Sequence, residues 1–252
     1  MEIGFKLCFE GNVPLNGIYQ FLFDRLIKFT PEHITFNRKV KRWDEKKHPG
    51  LLNTYDSDEA FALTAADGMF LTSHIDRLHS YRSIFIKQNI SSFLPSEEDI
   101  YSVIDRSGFI AAYLYNEDYE TIQSTVHESN LMGREFSPEI LESIKNTPYE
   151  LNILDQKAYK TKFNPGSSIT MDYLELMVAW KMWFGKSFFN LVPKERILSF
   201  PYASVIKELS EDIVYVQLYD EVETPYTPEN VFKQWKWREW LDYEGLEQKY
   251  PM

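Results

Sequence analysis

The opening of the chain alternates between strand and helix patterns. In residues 2–11, EIGFKLCFEG, every second residue from Ile3 to Phe9 is apolar, a spacing that predicts a β-strand. Residues 18–29, IYQFLFDRLIKF, place their apolar positions at helical intervals, and residues 30–40, TPEHITFNRKV, return to alternation. A strand, a helix and a strand within the first forty residues predict an α/β or α+β fold rather than an all-helical one.

Capping residues and apolar runs predict the later elements. Ser96 and Gly108 mark the start and end of a helix, and Ser137 with Pro138 begins another. Residues 109–115, FIAAYLY, form an apolar run that is typical of a central strand. Residues 171–189, MDYLELMVAWKMWFGKSFF, are apolar nearly all round, which predicts a buried helix. Further strands are predicted over residues 68–73, 81–90, 149–155 and 213–220.

The last helix of the chain is rich in tryptophan. Thr227 is its predicted cap, Pro228 its first residue and Gly245 its end. At helical spacing its apolar residues fall on two largely opposite arcs. Either the helix is enclosed by the fold, or one arc faces outward toward a partner. The first arc holds Val231, Phe232 and Trp235, and the second holds Trp237, Trp240 and Leu241.

These elements together predict an α+β fold in which helices flank a mixed sheet. The fold opens with strand, helix and strand, and it closes with the aromatic-rich C-terminal helix. The chain contains no Gly/Ser linker, low-complexity tract or fixed-period repeat. We therefore expect a single domain over residues 1–252, with a possible subdivision near residues 90–100.

The charge balance excludes several classes of partner. With 38 acidic and 27 basic residues, the net charge is −11, so the chain repels nucleic acid and anionic lipid and attracts basic surfaces. Its one cysteine, Cys8, excludes an internal disulfide, fits a reducing compartment and is predicted to be a small buried residue. Without a signal-peptide pattern or a run of eighteen apolar residues, we expect a cytoplasmic protein that contacts neither nucleic acid nor membrane.

Sequences that resemble catalytic or ligand-binding motifs lack their essential residues. GKS at 185–187 resembles the end of a phosphate-binding loop, but Trp180 stands where that loop needs glycine. In HIDRLH, His74 and His79 are badly spaced to share a metal, and His127 lacks the second histidine of a zinc-protease helix. We therefore predict no catalytic, cofactor-binding or metal-binding residues, and no cofactor.

Two acidic groups interleaved with aromatic residues suggest a recognition surface. Residues 208–229 contain seven acids and no Lys or Arg, and residues 113–120 read YLYNEDYE. This pattern fits either a solvated face or a surface complementary to a basic protein. If the two strands concerned are neighbours, both groups belong to one surface. The predicted partner-binding residues are Tyr115, Glu117, Asp118, Asp220, Glu221, Glu223, Trp237 and Trp240.

In overall style the chain resembles the bacterial immunity proteins of polymorphic-toxin and contact-dependent inhibition systems. The segments that carry the resemblance are IGFKLCFEG, GFIAAYLYN, MVAWKMWFG, VQLYDE and WKWREWL. The resemblance implies a non-catalytic cytoplasmic inhibitor of a cognate toxin C-terminal domain, one that is basic if the toxin is a nuclease. The basic run from Arg38 to Lys47 departs from a simple acidic surface.

Two alternatives remain open at this point. One is an enzyme, hydrolase-like, whose active site is assembled from distant residues; a deep pocket with two or more carboxylates or histidines of perturbed pKa would favour it. The other is a structural or regulatory subunit whose aromatic helix makes a homodimer. The sequence is compatible with a monomer or a homodimer.

Overall fold

Most strands of the protein pair into one antiparallel sheet. The computed structural model describes residues 1–13, 18, 21–22, 25–36, 39–47, 61–75, 81–89, 95–171 and 174–251. In chain order its strands are β1 (Glu2–Glu10), β2 (His33–Phe36), β3 (Lys39–Arg42), β4 (Phe61–Ala65), β5 (Gly68–Ile75), β6 (Tyr81–Asn89), β7 (Phe109–Asn116), β8 (Tyr149–Leu151), β9 (Lys157–Tyr159), β10 (Ile169–Thr170), β11 (Glu175–Leu176), β12 (Lys181–Gly185), β13 (Val205–Ser210) and β14 (Ile213–Gln217).

Across these described ranges, ten strands form the main sheet in the order β13-β14-β12-β7-β1-β6-β5-β4-β2-β3. Strands β8 and β9 pair with each other, as do β10 and β11. Because β1 pairs both with β6 and with β7, the sheet joins the segments before and after residues 90–100.

Helices flank this sheet, which confirms the predicted α+β class. The α-helices are α1 (Glu97–Ile104), α2 (Glu117–Ser124), α3 (Pro138–Glu142), α4 (Lys194–Leu198), α5 (Pro228–Leu241) and α6 (Tyr243–Lys249), and 3₁₀ turns cover Glu128–Leu131, Thr161–Phe163 and Phe188–Asn190. The described part of residues 18–25 is also helical. The predicted caps are confirmed: the side chains of Ser96, Ser137 and Thr227 accept bonds from backbone N–H groups in the first turns of α1, α3 and α5.

The middle of the sheet is buried on both faces. Every residue of β7 is buried, which confirms it as a central strand. In the adjacent β1, Cys8 is fully buried, as predicted for a small core residue, although it lies on the face opposite Leu7. A central strand with elements packed on both faces buries its polar face as well as its apolar one.

The prediction of a helix over residues 171–189 is wrong. This segment forms two strands instead, β11 and β12. Strand β11 pairs with β10, and β12 lies in the main sheet between β7 and β14. Met182, Trp183 and Phe184 are fully buried there. An all-round apolar run fits an interior strand as well as an interior helix, and pairing with two distant strands decides between them.

The last helix also ends earlier than Gly245. Helix α5 stops at Leu241, and Asp242 adopts a left-handed conformation with φ of 58°, which its short polar side chain tolerates. The Asp242 carboxylate accepts a hydrogen bond from the Gly245 N–H at 3.3 Å and thereby caps α6. A Cβ on Gly245 would lie 2.3 Å from that carboxylate, so glycine makes room for the cap instead of ending the helix.

Candidate recognition surface

The two aromatic arcs of α5 have opposite environments. Trp237 and Leu241 are buried, being 0% and 1% exposed, whereas Phe232 and Trp235 are 47% and 38% exposed. One predicted arc therefore does face outward at Phe232 and Trp235, whereas Trp240, predicted on the arc of Trp237 and Leu241, is half-buried and not part of the core. Trp237 lies on the buried arc. The prediction that it contacts a partner is therefore wrong, because a partner cannot reach it.

Contacts within the core explain the burial of Trp237. Its ring stacks on Phe184 at a centroid distance of 5.8 Å and meets Phe200 edge-on at 5.0 Å. Its Nε1–H donates to the Tyr243 hydroxyl at 3.1 Å, and that hydroxyl donates to the Met177 carbonyl oxygen at 2.9 Å. Trp237 thus joins α5 to the sheet and to α6.

The outward side chains of α5 extend an aromatic surface that begins at Tyr202. Tyr202 is 42% exposed and meets the Phe232 ring edge-on at 5.4 Å. One turn further along α5, Trp235 and Glu239 continue the same side. Trp240 is half-buried, and its Nε1–H donates to the Arg196 carbonyl oxygen at 2.7 Å. We call Tyr202, Phe232, Trp235, Glu239 and Trp240 the α5 surface.

Two cavities border Glu239 within this surface. Their walls combine aromatic rings with charged groups, so they suit amphipathic side chains of a partner. The first, of about 390 Å³, is lined by Arg196, Tyr202, Lys236, Glu239 and Trp240. The second, of about 330 Å³, is lined by Trp235, Arg238, Glu239, Asp242, Tyr243 and Glu244.

Three of the predicted acids are exposed and unpaired beside the start of α5. Within the described part of the chain, Asp220, Glu221 and Glu223 make no ion pair, and all three are exposed. Three other acids of the same stretch are paired locally: Glu208 with Lys194 at 2.8 Å, Asp212 with Lys186 at 3.3 Å and Glu229 with Lys233 at 3.0 Å. Glu211 is exposed and makes no ion pair among the described residues, so three of the four unpaired acids of this stretch lie in the loop before α5.

That loop also reaches the second acidic group. Strand β12 separates β7 from β14, so the two strands are not neighbours. The Asn116 amide at the end of β7 nevertheless donates to the Val222 carbonyl oxygen at 3.4 Å, and the Asn230 amide of α5 donates to the Thr224 carbonyl oxygen at 2.7 Å. The loop therefore connects the end of β7 with the first turn of α5.

Two predicted contact residues at the end of β7 are buried instead of accessible. Tyr115 is 5% and Glu117 is 9% exposed, because both pack over Gly4. A Cβ on Gly4 would lie 2.5 Å from the Tyr115 ring and 2.8 Å from the Glu117 carboxylate. Asp118 is half-buried and pairs with Arg134 at 3.7 Å.

Burial changes the protonation of these carboxyls. Burial, reinforced by the charge of Glu120, raises the pKa of Glu117 to about 8. Burial also raises the pKa of Asp118, although Arg134 opposes the effect. Glu117 is therefore largely protonated at neutral pH and adds little to the acidic surface.

Next to Glu117 lies a polar cluster that the sequence pattern did not indicate. Lys6 of β1 forms an ion pair with Glu175 of β11. The Ser124 hydroxyl donates to Glu120 at 2.6 Å and lies 3.2 Å from the Ser168 hydroxyl. Burial raises the pKa of Glu120. Burial lowers the pKa of Lys6, but its neighbours, Glu175 first among them, together raise the net pKa.

The rejected motifs have local roles where the structure describes them. The Ser187 hydroxyl of GKS donates to Glu10 at 2.6 Å, and Lys186 pairs with Asp212. His74 lies in β5, whereas Asp76 and His79 lie outside the described residues. In the ranges that the structure covers, no three or more His, Cys, Asp or Glu side chains are grouped to hold a metal ion.

Comparison with protein-family models, with curated proteins and with solved structures gives no match to this chain. None of the helices in the described ranges has the length and apolar character needed to span a bilayer. The function must therefore be inferred from the geometry and charge of the sites themselves.

Proposed function

We propose that this chain is a non-catalytic immunity protein that binds and neutralises the C-terminal domain of a cognate bacterial toxin. The observation that carries the proposal is the α5 surface, where Tyr202, Phe232 and Trp235 are exposed together. Exposed aromatic residues on a rigid helix are typical of the residues that dominate protein–protein binding energy. We expect this surface to be the centre of the interface.

The partner is proposed to be a basic protein domain. The chain carries a net charge of −11, and Asp220, Glu221 and Glu223 add unpaired negative charge beside α5. Such charge accelerates the encounter with a basic surface, while the aromatic residues hold the complex. If the toxin is a nuclease, its phosphate-binding residues supply the basic surface, and covering them blocks its activity.

Charge reversal tests the electrostatic part of this proposal. Replacing Asp220, Glu221 and Glu223 together with lysine is expected to slow association with the toxin domain and to weaken the dependence of the association rate on salt. Stopped-flow mixing at several ionic strengths measures both. The matched control replaces three exposed acids elsewhere, Asp67, Glu98 and Glu135, so that net charge changes equally. Equal kinetics in both triple variants would reject a localised acidic surface.

One observation favours an enzyme as the second candidate. Glu117 and Glu120 both have raised pKa values, and the charges of Lys6 and Glu175 act on Glu120, as in sites that exchange protons with a substrate. The cavities that flank Glu239 are lined by other residues. If protection against the toxin were enzymatic, Glu120→Gln with Glu175→Gln would abolish protection while leaving binding intact. For the inhibitor, we expect protection to follow binding.

The homodimer alternative makes a different prediction for the α5 surface. A self-associating surface would bury Phe232 and Trp235 in the isolated protein. If the chain is instead an inhibitor whose α5 surface is free for the toxin, light scattering on the isolated protein is expected to give the mass of a monomer. A dimer that dissociates on Trp235→Ala would contradict the proposal.

A further inference from the structure

Arg238 is a buried cation of α5 without a carboxylate partner. It is 5% exposed and lies between the rings of Trp235 and Tyr243, with its guanidinium carbon 5.9 Å and 5.3 Å from their centroids. Its Nη1 donates to the Ser167 carbonyl oxygen at 2.6 Å and to the Ser167 hydroxyl at 3.2 Å. Among the described residues, no carboxylate oxygen lies within 4.0 Å of it, and its Nε and Nη2 have no acceptor.

The guanidinium borders a small polar cavity next to Ser167. The cavity has a volume of about 170 Å³. A water molecule takes up about 30 Å³, so the space suits one small molecule of five or six heavy atoms. Its lining combines two cations, three hydroxyls and two exposed acids: Thr161, Lys162, Ser167, Ser168, Ile169, Arg238, Glu244, Glu247 and Gln248.

The Nε and Nη2 of Arg238 are not sealed from solvent, so they are open to an anion as well as to water. Burial is the main influence on the pKa of Arg238 and lowers it, while Tyr243, Glu244 and Glu247 act in the opposite direction. The free N–H groups of a guanidinium match the paired oxygens of carboxylates and phosphates.

We propose that the Arg238 cavity binds a small oxyanion, a phosphate or a carboxylate. Arg238 supplies the buried charge, and Lys162 adds a second cation; together they offset the exposed carboxylates of Glu244 and Glu247 in the same lining. Lys162 makes no ion pair within the described residues, so its charge is available to the anion. The proposal does not rest on toxin binding, although Arg238 and Glu244 also line the second cavity beside Glu239.

Titration of the purified protein with inorganic phosphate and with acetate, at constant ionic strength set by chloride, tests the proposal. Calorimetry and melting temperature are the measurements. We expect at least one of the two anions to bind the native chain and raise its melting temperature, and Arg238→Gln to weaken that binding at least tenfold. Arg196→Gln is the matched control, because it removes one exposed arginine that lies outside the cavity.

Lys162→Gln covers the case in which Arg238→Gln does not fold. Lys162 is exposed, so its replacement is expected to leave the fold intact while weakening anion binding severalfold. Two results would overturn the proposal. One is that neither anion binds the native chain; the other is that Lys162→Gln and Arg196→Gln respond to the anions just as the native chain does, as expected of a general salt effect.

Discussion

Replacing Glu117 with glutamine is expected to stabilise the protein more strongly as the pH rises. Glu117 is 9% exposed and its pKa is raised from 4.5 to about 8, chiefly by burial. Glutamine has nearly the same shape and never ionises. The variant therefore keeps the packing over Gly4 and removes only the titration.

The magnitude follows from the proton that folding takes up. Between pH 4.5 and about 8 the unfolded chain carries an ionised Glu117 while the folded chain keeps it protonated. The free energy of unfolding therefore falls as pH rises through this window, by roughly 1.4 kcal/mol per pH unit from this residue. From pH 4.5 to pH 7 the free energy of unfolding therefore falls by about 3 kcal/mol on account of Glu117, and the Glu117→Gln variant does not show this fall.

Urea unfolding at pH 5, 6, 7 and 8 measures this effect. We expect the difference in unfolding free energy between Glu117→Gln and the native chain to grow steadily over this range and to level off above pH 8. Glu98→Gln, at an exposed position of α1, is the control for adding a surface amide. A difference that stays constant with pH, or a variant less stable than the native chain at pH 8, would refute the assigned burial of this carboxyl.

Three further comparisons test the core beneath α5, the turn before β7 and the cap of α5. Trp237→Ala should lower the free energy of unfolding, measured with urea, by about 3–5 kcal/mol because it leaves a cavity in the core beneath α5. Trp235→Ala should lower it much less. Equal losses would mean that the two tryptophans are assigned to the wrong arcs. Gly108 and Gly133 have nearly the same positive φ, 78° and 79°, but a new Cβ would lie 2.2 Å from Val13 at Gly108 and would have no atom within 4 Å at Gly133. Gly108→Ala should therefore lower the free energy of unfolding more than Gly133→Ala. Equal losses would show that the Val13 side chain moves aside without cost. Thr227→Ala should cost about 1 kcal/mol by removing the cap of α5, and Thr227→Ser should restore it; no loss in the alanine variant would contradict the cap.

Local signals in the sequence were sufficient for much of the fold. The alternation of residues 2–10, the apolar run of 109–115 and the caps at Ser96, Ser137 and Thr227 depend on neighbouring residues, and each predicted element is present. The segment at 171–189 failed because its apolar residues satisfy a buried helix and a buried strand alike. Its strand state is fixed by pairing with β7 and β14, which lie far away in the sequence.

The site was predictable only in part for a related reason. Helical spacing separates the two arcs of α5 but does not say which arc meets the core, since both contain tryptophan. Trp237 is buried because Phe184, Phe200 and Tyr243 surround it, and these come from three other segments. The Lys6–Glu175 pair joins residues 169 positions apart, a separation that no local pattern reveals.

The most direct test of the proposed function is to produce any toxin C-terminal domain encoded beside the gene of this chain and to measure its affinity for the chain. Calorimetry should show a stable complex with the native chain. The double variant Phe232→Ala, Trp235→Ala should bind at least tenfold more weakly, whereas Phe163→Ala, which removes an aromatic ring that is 49% exposed elsewhere, should bind as the native chain does. An unchanged dissociation constant in the double variant, or no complex with the native chain, would contradict the account.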